Sequence, residues 1–402
     1  MGDNCFPSPR SRQRNTSLLL TLIIVGLCSF FSLEIFSLDI FSQDNPVFLK
    51  PPEIITLPKK IDYYSAKKRR FTGIPSLAIS HGGRMWAVWY AGITPDEDEN
   101  NYVVVSSSAD GGSTWKEILI IDPDGPGPVR AFDPQAWIES QGKLWIFWVQ
   151  TIGHEGTTAG VWSITTNNPN IESPKWSSPR RLTNGIMMGK PTVLSSGEWI
   201  LPASTWKLTD NSAKVVASED KGLTWYERGA VNVPEEDRDF DEHMIVKKNG
   251  SLWMLLRTKY GIGESVSYDR GRSWSSVAPS KIKHSNARFF IRRLHSGNLL
   301  LVKHGPLDVK TGRSHLMAFL SRDDGRSWSR GLLPDQRQGV SYPDGHQVKD
   351  GTIYLIYDYH RVKDQNIILI SFTEDDIIAP DYDRRIIKVF RNRKIVSKGG
   401  PD

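Results

Sequence analysis

The sequence predicts an all-β chain folded as a six-bladed β-propeller of four-stranded antiparallel blades, preceded by an N-terminal hydrophobic helix. Three observations predict it. The pattern S-x-D-x-G-x-[ST]-W occurs four times, as SADGGSTW from Ser108, SEDKGLTW from Ser218, SYDRGRSW from Ser267 and SRDDGRSW from Ser321. Around each copy the chain divides into four short runs of strand-forming residues, such as EHMIVKK, SLWMLLRT, GESVSYD and SWSSVA around the copy at Ser267. Tryptophan is abundant, at 14 of 402 residues, and serves either blade-like sheet packing or sugar stacking.

Each repeat has a local mechanism. The aspartate accepts backbone N–H groups of its own turn, the glycine takes a left-handed conformation, and the tryptophan packs back across the hairpin. Asp110, Asp220, Asp269 and Asp323 are 110, 49 and 54 residues apart, so one copy is missing from the first interval. A degenerate copy, SITTNNPNIESPKW, ends there at Trp176, and a sixth relic, SFTEDDI from Ser371, has neither glycine nor tryptophan. Units of about 50 residues then fill 71–390 as six blades.

Before the first blade, Arg10, Arg12 and Arg14 precede an uncharged run from Ser17 to Leu33. This assigns residues 1–16 to a basic cytoplasmic flank and 17–41 to a signal-anchor, with a cleaved signal peptide as the alternative. Residues 42–70, rich in proline and lysine, read as a stalk, although EIITLP within it also suits a strand. The propeller would occupy 71–390, outside the cytoplasm and attached to the membrane by the N-terminal segment, with 391–402 as a tail. Cys5 and Cys28 are the only cysteines, so no disulfide staples the domain. The net charge of +6 is mild and scattered, which excludes a nucleic-acid footprint. Oligomeric state is not legible.

In a meandering blade the turns between strands three and four share one face, so all the repeats lie there. The opposite face collects the starts of first and third strands and the ends of second strands, and chemistry belongs there. Asp133 in RAFDP, Lys190 in MMGKP, His243, His304, Asp344 and His346 fall on it. The histidines show no short metal-ligand spacing, and no cofactor is implied. Trp86, Trp89, Trp145, Trp148 and Trp253 fall within second strands and read as blade core, while Tyr90 and Trp206, at strand ends, are the candidate sugar platforms.

The repeats, together with these open-face residues, resemble the sialidase superfamily, whose six-bladed propellers carry Asp-box (BNR) repeats. The resemblance covers roughly 70–375. EHMIVKKNGSLWMLLRT resembles the family segment in which a glutamate opens one strand and an arginine closes the next, here Glu242 and Arg257. GRSHLMAFLSRDDGRSW places Arg313 where the family has another substrate-binding arginine, and SYPDGHQVKDGTIYLIYD resembles the stretch carrying a nucleophilic tyrosine, here Tyr342. The resemblance implies a glycan substrate bearing a terminal acidic sugar.

That chemistry is coherent. A sugar with a carboxylate on its anomeric carbon repels an anionic nucleophile, whereas a neutral tyrosine activated by Glu242 is not repelled. Guanidinium groups bind the carboxylate bidentately. The leaving-group acid would come from the loop TPDEDENNY, by family position Asp96 or Asp98, with Glu99 not excluded. His243, Arg288, Asp133, Lys190 and Asp344 complete the expected binding surface. One departure stands out: the family's first arginine lies in an R-I-P motif, whereas this chain has Gly73 in FTGIPSLA. Arg69, Arg70, Arg130 and Arg288 are the candidate substitutes. The expected activity is an exo-acting glycoside hydrolase. The alternatives are a lyase acting on uronate-containing glycans and a non-catalytic carbohydrate-binding propeller.

Overall fold

The computed structural model describes residues 46–57, 62–206, 211–240, 242–379, 381 and 388–400. The predicted basic flank and signal-anchor lie outside these residues. Among the described residues, no helix is long and apolar enough to cross a membrane.

Six antiparallel sheets form the blades of a propeller. Blade one consists of β1 (Glu53–Thr56), β2 (Phe71–Ile79), β3 (Met85–Gly92), β4 (Tyr102–Ser108) and β5 (Lys116–Asp122). Blade two is β6 (Val129–Ile138), β7 (Leu144–Ile152), β8 (Gly160–Thr166) and β9 (Arg180–Asn184). Blade three is β10 (Thr192–Val193), β11 (Trp199–Ser204), β12 (Ala213–Ser218) and β13 (Tyr226–Val231). In blade four, β14 (His243–Lys248) and β15 (Ser251–Thr258) are followed by β16 (Gly261–Ser267) and the short β17 (Ala278–Pro279). Blade five runs through β18 (Phe290–Arg293), β19 (Leu299–His304), β20 (Leu316–Ser321) and β21 (Leu332–Asp335). Blade six closes the ring with β22 (Val340–Gln347), β23 (Ile353–Tyr359), β24 (Asn366–Phe372) and β25 (Lys394–Lys398).

Two predicted boundaries move. Ile54 and Ile55 of the expected stalk pair with Ile121 and Ile120 of β5, adding a fifth strand to blade one. β25, placed in the expected tail, pairs with β24 and is the outer strand of blade six. Both segments bury apolar residues against a sheet edge, Ile55 and Val396 among them, and cover backbone that an edge would otherwise leave unpaired. The relic SFTEDDI forms no hairpin. Its last part is a helical turn, α1 (Glu374–Ile378), in which Thr373 and Asp376 cap each other reciprocally.

The Asp boxes behave as their residues require. In the first, the Ser113 and Thr114 N–H groups donate to Asp110 Oδ1 at 2.9 Å each, Thr114 Oγ1 donates to Asp110 Oδ2 at 2.6 Å, and Trp115 Nε1 donates to the Gly112 carbonyl at 3.2 Å. These hydrogen bonds hold the Asp110 carboxyl well below the usual carboxylate range. The box also spaces the blades. A Cβ on Gly112 would lie 2.5 Å from Leu369 of blade six, and one on Gly222 would lie 2.6 Å from Trp145 of blade two. Glycine is therefore needed both for its positive φ and for close approach to the preceding blade.

The core lies between blades. Trp86, Val103 and Ile121 of blade one pack with Ile146, Trp148 and Trp162 of blade two, and equivalent clusters fill the other junctions. The ring closes without a shared strand. Asp344 Oδ2 of blade six instead accepts from Ser76 Oγ at 2.6 Å and Leu77 N at 2.9 Å, both in blade one.

Candidate active site

The first strands of three blades share a distortion at the channel mouth opposite the Asp boxes. In β2, β6 and β22 the pairing shifts at Gly73/Ser76, Phe132/Gln135 and Ser341/Asp344. Each shift contains a residue followed by proline, and that residue has positive φ: Ile74 at 58°, Asp133 at 48° and Tyr342 at 50°. Non-glycine residues seldom adopt this conformation, and a β-branched isoleucine is a genuine outlier. Proline supplies no N–H to the ladder, so a bulge is the natural place for it. Such strain persists only where the surroundings enforce it and clusters at functional sites. The Ile74 N–H donates to Asp358 Oδ2 at 2.9 Å, which is part of that enforcement.

Tyr342 is buried and lies among guanidinium groups. Arg313, from the segment leading into β20, has its Cζ 5.0 Å from the Tyr342 ring centroid, and Arg361, just after β23, has its Cζ 4.9 Å away. Arg257, at the end of β15, interacts electrostatically with the same phenol. Its Nη1 donates to Glu242 Oε2 at 3.0 Å, its Nε donates to Asn286 Oδ1 at 2.8 Å, and its Cζ stacks 4.3 Å from the Phe240 ring. Asn286 is held in turn by Asp239. Thus the four residues singled out for nucleophile, base and carboxylate binding occupy one mouth of the channel, delivered by blades four, five and six.

The acidic loop of blade one behaves differently from the family expectation. Asp96 is exposed. Asp98 is bonded within its own loop, accepting from Thr94 Oγ1 at 2.6 Å and Asn100 N at 3.0 Å, and Glu99 is exposed. The residue turned inward is Glu97. Its Oε1 accepts from Arg361 Nη1 at 2.7 Å, and its Oε2 is 3.8 Å from Arg130 Nη2. These arginines hold the Glu97 carboxyl below its ordinary range, against the effect of its partial burial.

Asp133 is the opposite case. Burial, together with the nearby charges of Glu242 and Glu97, pushes its carboxyl well above the ordinary range, against the pull of Arg288 and Arg130. Arg288 is buried beneath the site and donates to Gln135 Oε1 at 3.0 Å. Burial also pushes up Asp358.

Three expected binding residues lie elsewhere. Lys190 and Asp344 form a buried ion pair at 2.6 Å, and Lys190 also donates to the carbonyls of Leu77 and Gly345. Their bonds tie blades one, three and six together inside the channel. His243 Nε2 is 2.8 Å from the Lys214 carbonyl of the neighbouring blade. Neither candidate sugar platform stands open: Tyr90 is 0% and Trp206 6% exposed, because both belong to an aromatic cluster with Phe71, Phe132 and Phe240. His304 stacks on His284 at 5.2 Å and contacts the Val340 carbonyl, behind Tyr342.

Sequence reasoning missed Arg361 and Glu97. A signal for the site was nonetheless present, since GIPS, FDPQ and YPDG place a proline at equivalent points of three first strands.

Comparison with known proteins places this geometry. No curated protein sequence matches the chain. Among solved structures, the intramolecular trans-sialidase from Ruminococcus gnavus superposes with a TM-score of 0.60 at 15% identity, covering 78% of this chain and 96% of that one. The NanB sialidase from Streptococcus pneumoniae, as its K499G mutant, gives 0.58 at 14% identity, with coverage of 76% and 68%. A protein of unknown function from Dyadobacter fermentans gives 0.57 at 16%, with 78% and 95%. At such identities the likeness is one of fold. The BNR repeat-like domain model matches residues 83–355, two thirds of the sequence, and the chain belongs to that family.

Proposed function

We propose that this protein is an exo-acting glycoside hydrolase that removes a terminal acidic sugar from glycans, with Tyr342 as nucleophile. The observation that carries the reading is a phenol between the guanidinium groups of Arg313 and Arg361, beside the Arg257–Glu242 pair. Arg257, Arg313 and Arg361 bring three positive charges to the mouth, and Arg130 and Arg288 add two more from buried positions below it. Opposing them are Glu97 and Glu242, while burial pushes Asp133 and Asp358 toward their neutral forms. Such a surplus of positive charge favours an anionic ligand, and planar guanidinium groups suit a carboxylate.

In the proposed reaction, Tyr342 Oη attacks the anomeric carbon as Glu242 takes the phenolic proton. The bond to the leaving sugar breaks, and its oxygen takes a proton from Asp133, a carboxyl that burial and the neighbouring carboxylates push well above its ordinary range. Water then attacks the glycosyl-tyrosine and gives a proton to Asp133, while the departing phenolate recovers its own from Glu242. Both catalytic carboxyls return to their starting states.

The test incubates the full-length chain with sialylated and uronate-terminated oligosaccharides and weighs the products. Summed product mass equal to substrate plus one water supports hydrolysis. Conserved mass identifies a lyase, and binding without product identifies a carbohydrate-binding propeller; either outcome rejects the proposal. The arginine-flanked apolar run at 17–33 supports placing the propeller outside the cytoplasm, attached to a membrane. Protease accessibility on intact cells tests that placement.

A further inference from the structure

The backbone at Gly73 is covered by another residue's side chain. A Cβ built there would lie 2.4 Å from Arg361 Cδ, 2.5 Å from Arg361 Cγ and 3.1 Å from Asp358 Oδ2. No side chain fits at position 73 while Arg361 holds this path. Arg361 belongs to blade six and Gly73 to blade one, and the Thr72 N–H donates to the Arg361 carbonyl at 2.9 Å, fixing the two backbones across the junction. The stem of Arg361 therefore crosses from the last blade to the first over a glycine. Its head emerges against Tyr342, at 4.9 Å from the ring, and against Phe71, at 5.5 Å.

The guanidinium is not used up by the fold. Nη1 donates to Glu97, but Nε and Nη2 make no hydrogen bond among the described residues, and the side chain keeps 21% exposure. Arg313 donates through Nη1 to Ser341 Oγ and Arg257 through Nε and Nη1, so Nη2 of each is likewise without an acceptor among the described residues. Three guanidinium groups from three blades thus present donors around one phenol. The other arginines considered for this role are placed differently. Arg69 is buried on Glu117, at 2.6 Å, and on Tyr102. Arg70 is exposed before β2. Arg130 and Arg288 lie buried below the mouth, 1% and 2% exposed.

We propose that Arg361, carried across the blade six to blade one junction through the space left by Gly73, is a substrate-binding residue that completes a three-arginine clamp and sets selectivity for a sugar carboxylate. This rests on the reading of the site given above. Glu97 orients the guanidinium, and Gly73 is what permits it to reach the site.

The test compares one acidic-sugar glycoside with its carboxamide, using the full-length wild type, Arg361→Met, Arg361→Lys and Gly73→Ala. Arg361→Met keeps the stem and removes the charge. It should lower kcat/KM for the acid about 10- to 100-fold more than for the carboxamide, the weight of a lost charged hydrogen bond. Gly73→Ala should give the same loss of selectivity without touching the charge, because its methyl displaces the stem. Arg361→Lys should recover part of the preference for the acid. Equal losses on acid and carboxamide, or unchanged kinetics on the acid, would make Arg361 a junction residue only and overturn the proposal. If the wild type turns over neither compound, the hydrolase reading fails by itself, and calorimetric binding of the free acidic sugar decides the clamp. Affinity lost in Arg361→Met and Gly73→Ala then supports it, whereas equal affinity in all variants, or no binding to any, overturns it.

Discussion

At the Asp-box end of the propeller, each aspartate is bonded to groups within four residues of itself. At the opposite mouth, Glu97, Asp133, Glu242, Arg313, Tyr342 and Arg361 come from blades one, two, four, five and six. The carboxyls differ accordingly. Turn hydrogen bonds pull Asp220, Asp269 and Asp323 down to about 2 in nearly exposed positions, whereas burial and neighbouring carboxylates push Asp133 up. A repeated local motif specifies each turn independently, whereas the cluster at the opposite mouth is assembled from five non-identical blades. The Asp-box end also has a cavity of about 540 Å³, lined by turn residues such as Ser80, His81, Ser140 and Asp350, far from the arginine cluster in the topology. Concavity alone does not locate the chemistry.

Single substitutions at the two ends should behave differently. The largest expected effect is at Tyr342. Tyr342→Phe removes one hydroxyl and should reduce turnover by about 10³-fold or more with little change in melting temperature, measured by steady-state kinetics and calorimetry on the same preparation. If activity and stability fall together, the ring is serving the fold.

Next is the Lys190–Asp344 pair. Lys190→Met leaves a buried carboxylate without its cation and should destabilise the chain by about 3 to 5 kcal/mol, read by denaturant unfolding. KM of the folded fraction should not change. A selective rise in KM would return Lys190 to the binding surface.

Asp133 separates catalysis from stability. Its carboxyl must be protonated to donate, so activity should decline as pH rises through its elevated pKa, and Asp133→Asn should remove that limb along with most activity. Stability should move the other way. A carboxyl whose pKa is raised in the folded state costs stability as pH rises from its unfolded value, about 4, to its folded value. Asp133→Asn should therefore be more stable than wild type at neutral pH, and the advantage should shrink to nothing as pH falls below about 4. Unchanged stability at neutral pH, read by denaturant unfolding, would mean that Asp133 is ionised and paired.

The smallest effects belong to the boxes. Asp220→Asn removes a carboxylate with a depressed pKa, so its contribution should be full above about pH 4 and disappear as pH falls toward 2. Melting curves of wild type and variant should converge in acid. A gap that persists at pH 2 would assign the loss to packing.

The same contrast explains what the sequence makes legible. The box pattern encodes its own turn, so blade number and the orientation of the two faces follow from spacing, whereas Tyr342, Glu242, Arg257 and Arg313 are reached through the resemblance to the sialidase superfamily. Arg361 is reached by neither, because the path of its stem depends on a glycine 288 positions earlier, at Gly73, and on ring closure. Position alone also misassigns Asp344 and Lys190: being on an inner strand puts a residue in the channel but does not say at what depth. In the acidic loop, four consecutive acidic residues differ only in which way the turn aims them, and a tight network around Asp98 sends Glu97 inward. Strand β25 is hard to read because KIVSK is short and follows the charged, non-alternating run YDRRIIKVFRNR.

A nucleophilic Tyr342 must become covalently glycosylated during turnover. The direct way to see this is acid-quenching of the full-length chain while it turns over an acidic-sugar glycoside, followed by proteolysis and mass spectrometry of the peptide containing Tyr342. The expected result is an adduct of one acidic sugar residue on that peptide, formed on Tyr342 and absent from Tyr342→Phe. Turnover with no adduct on Tyr342, or an adduct on another side chain, would contradict the nucleophilic role.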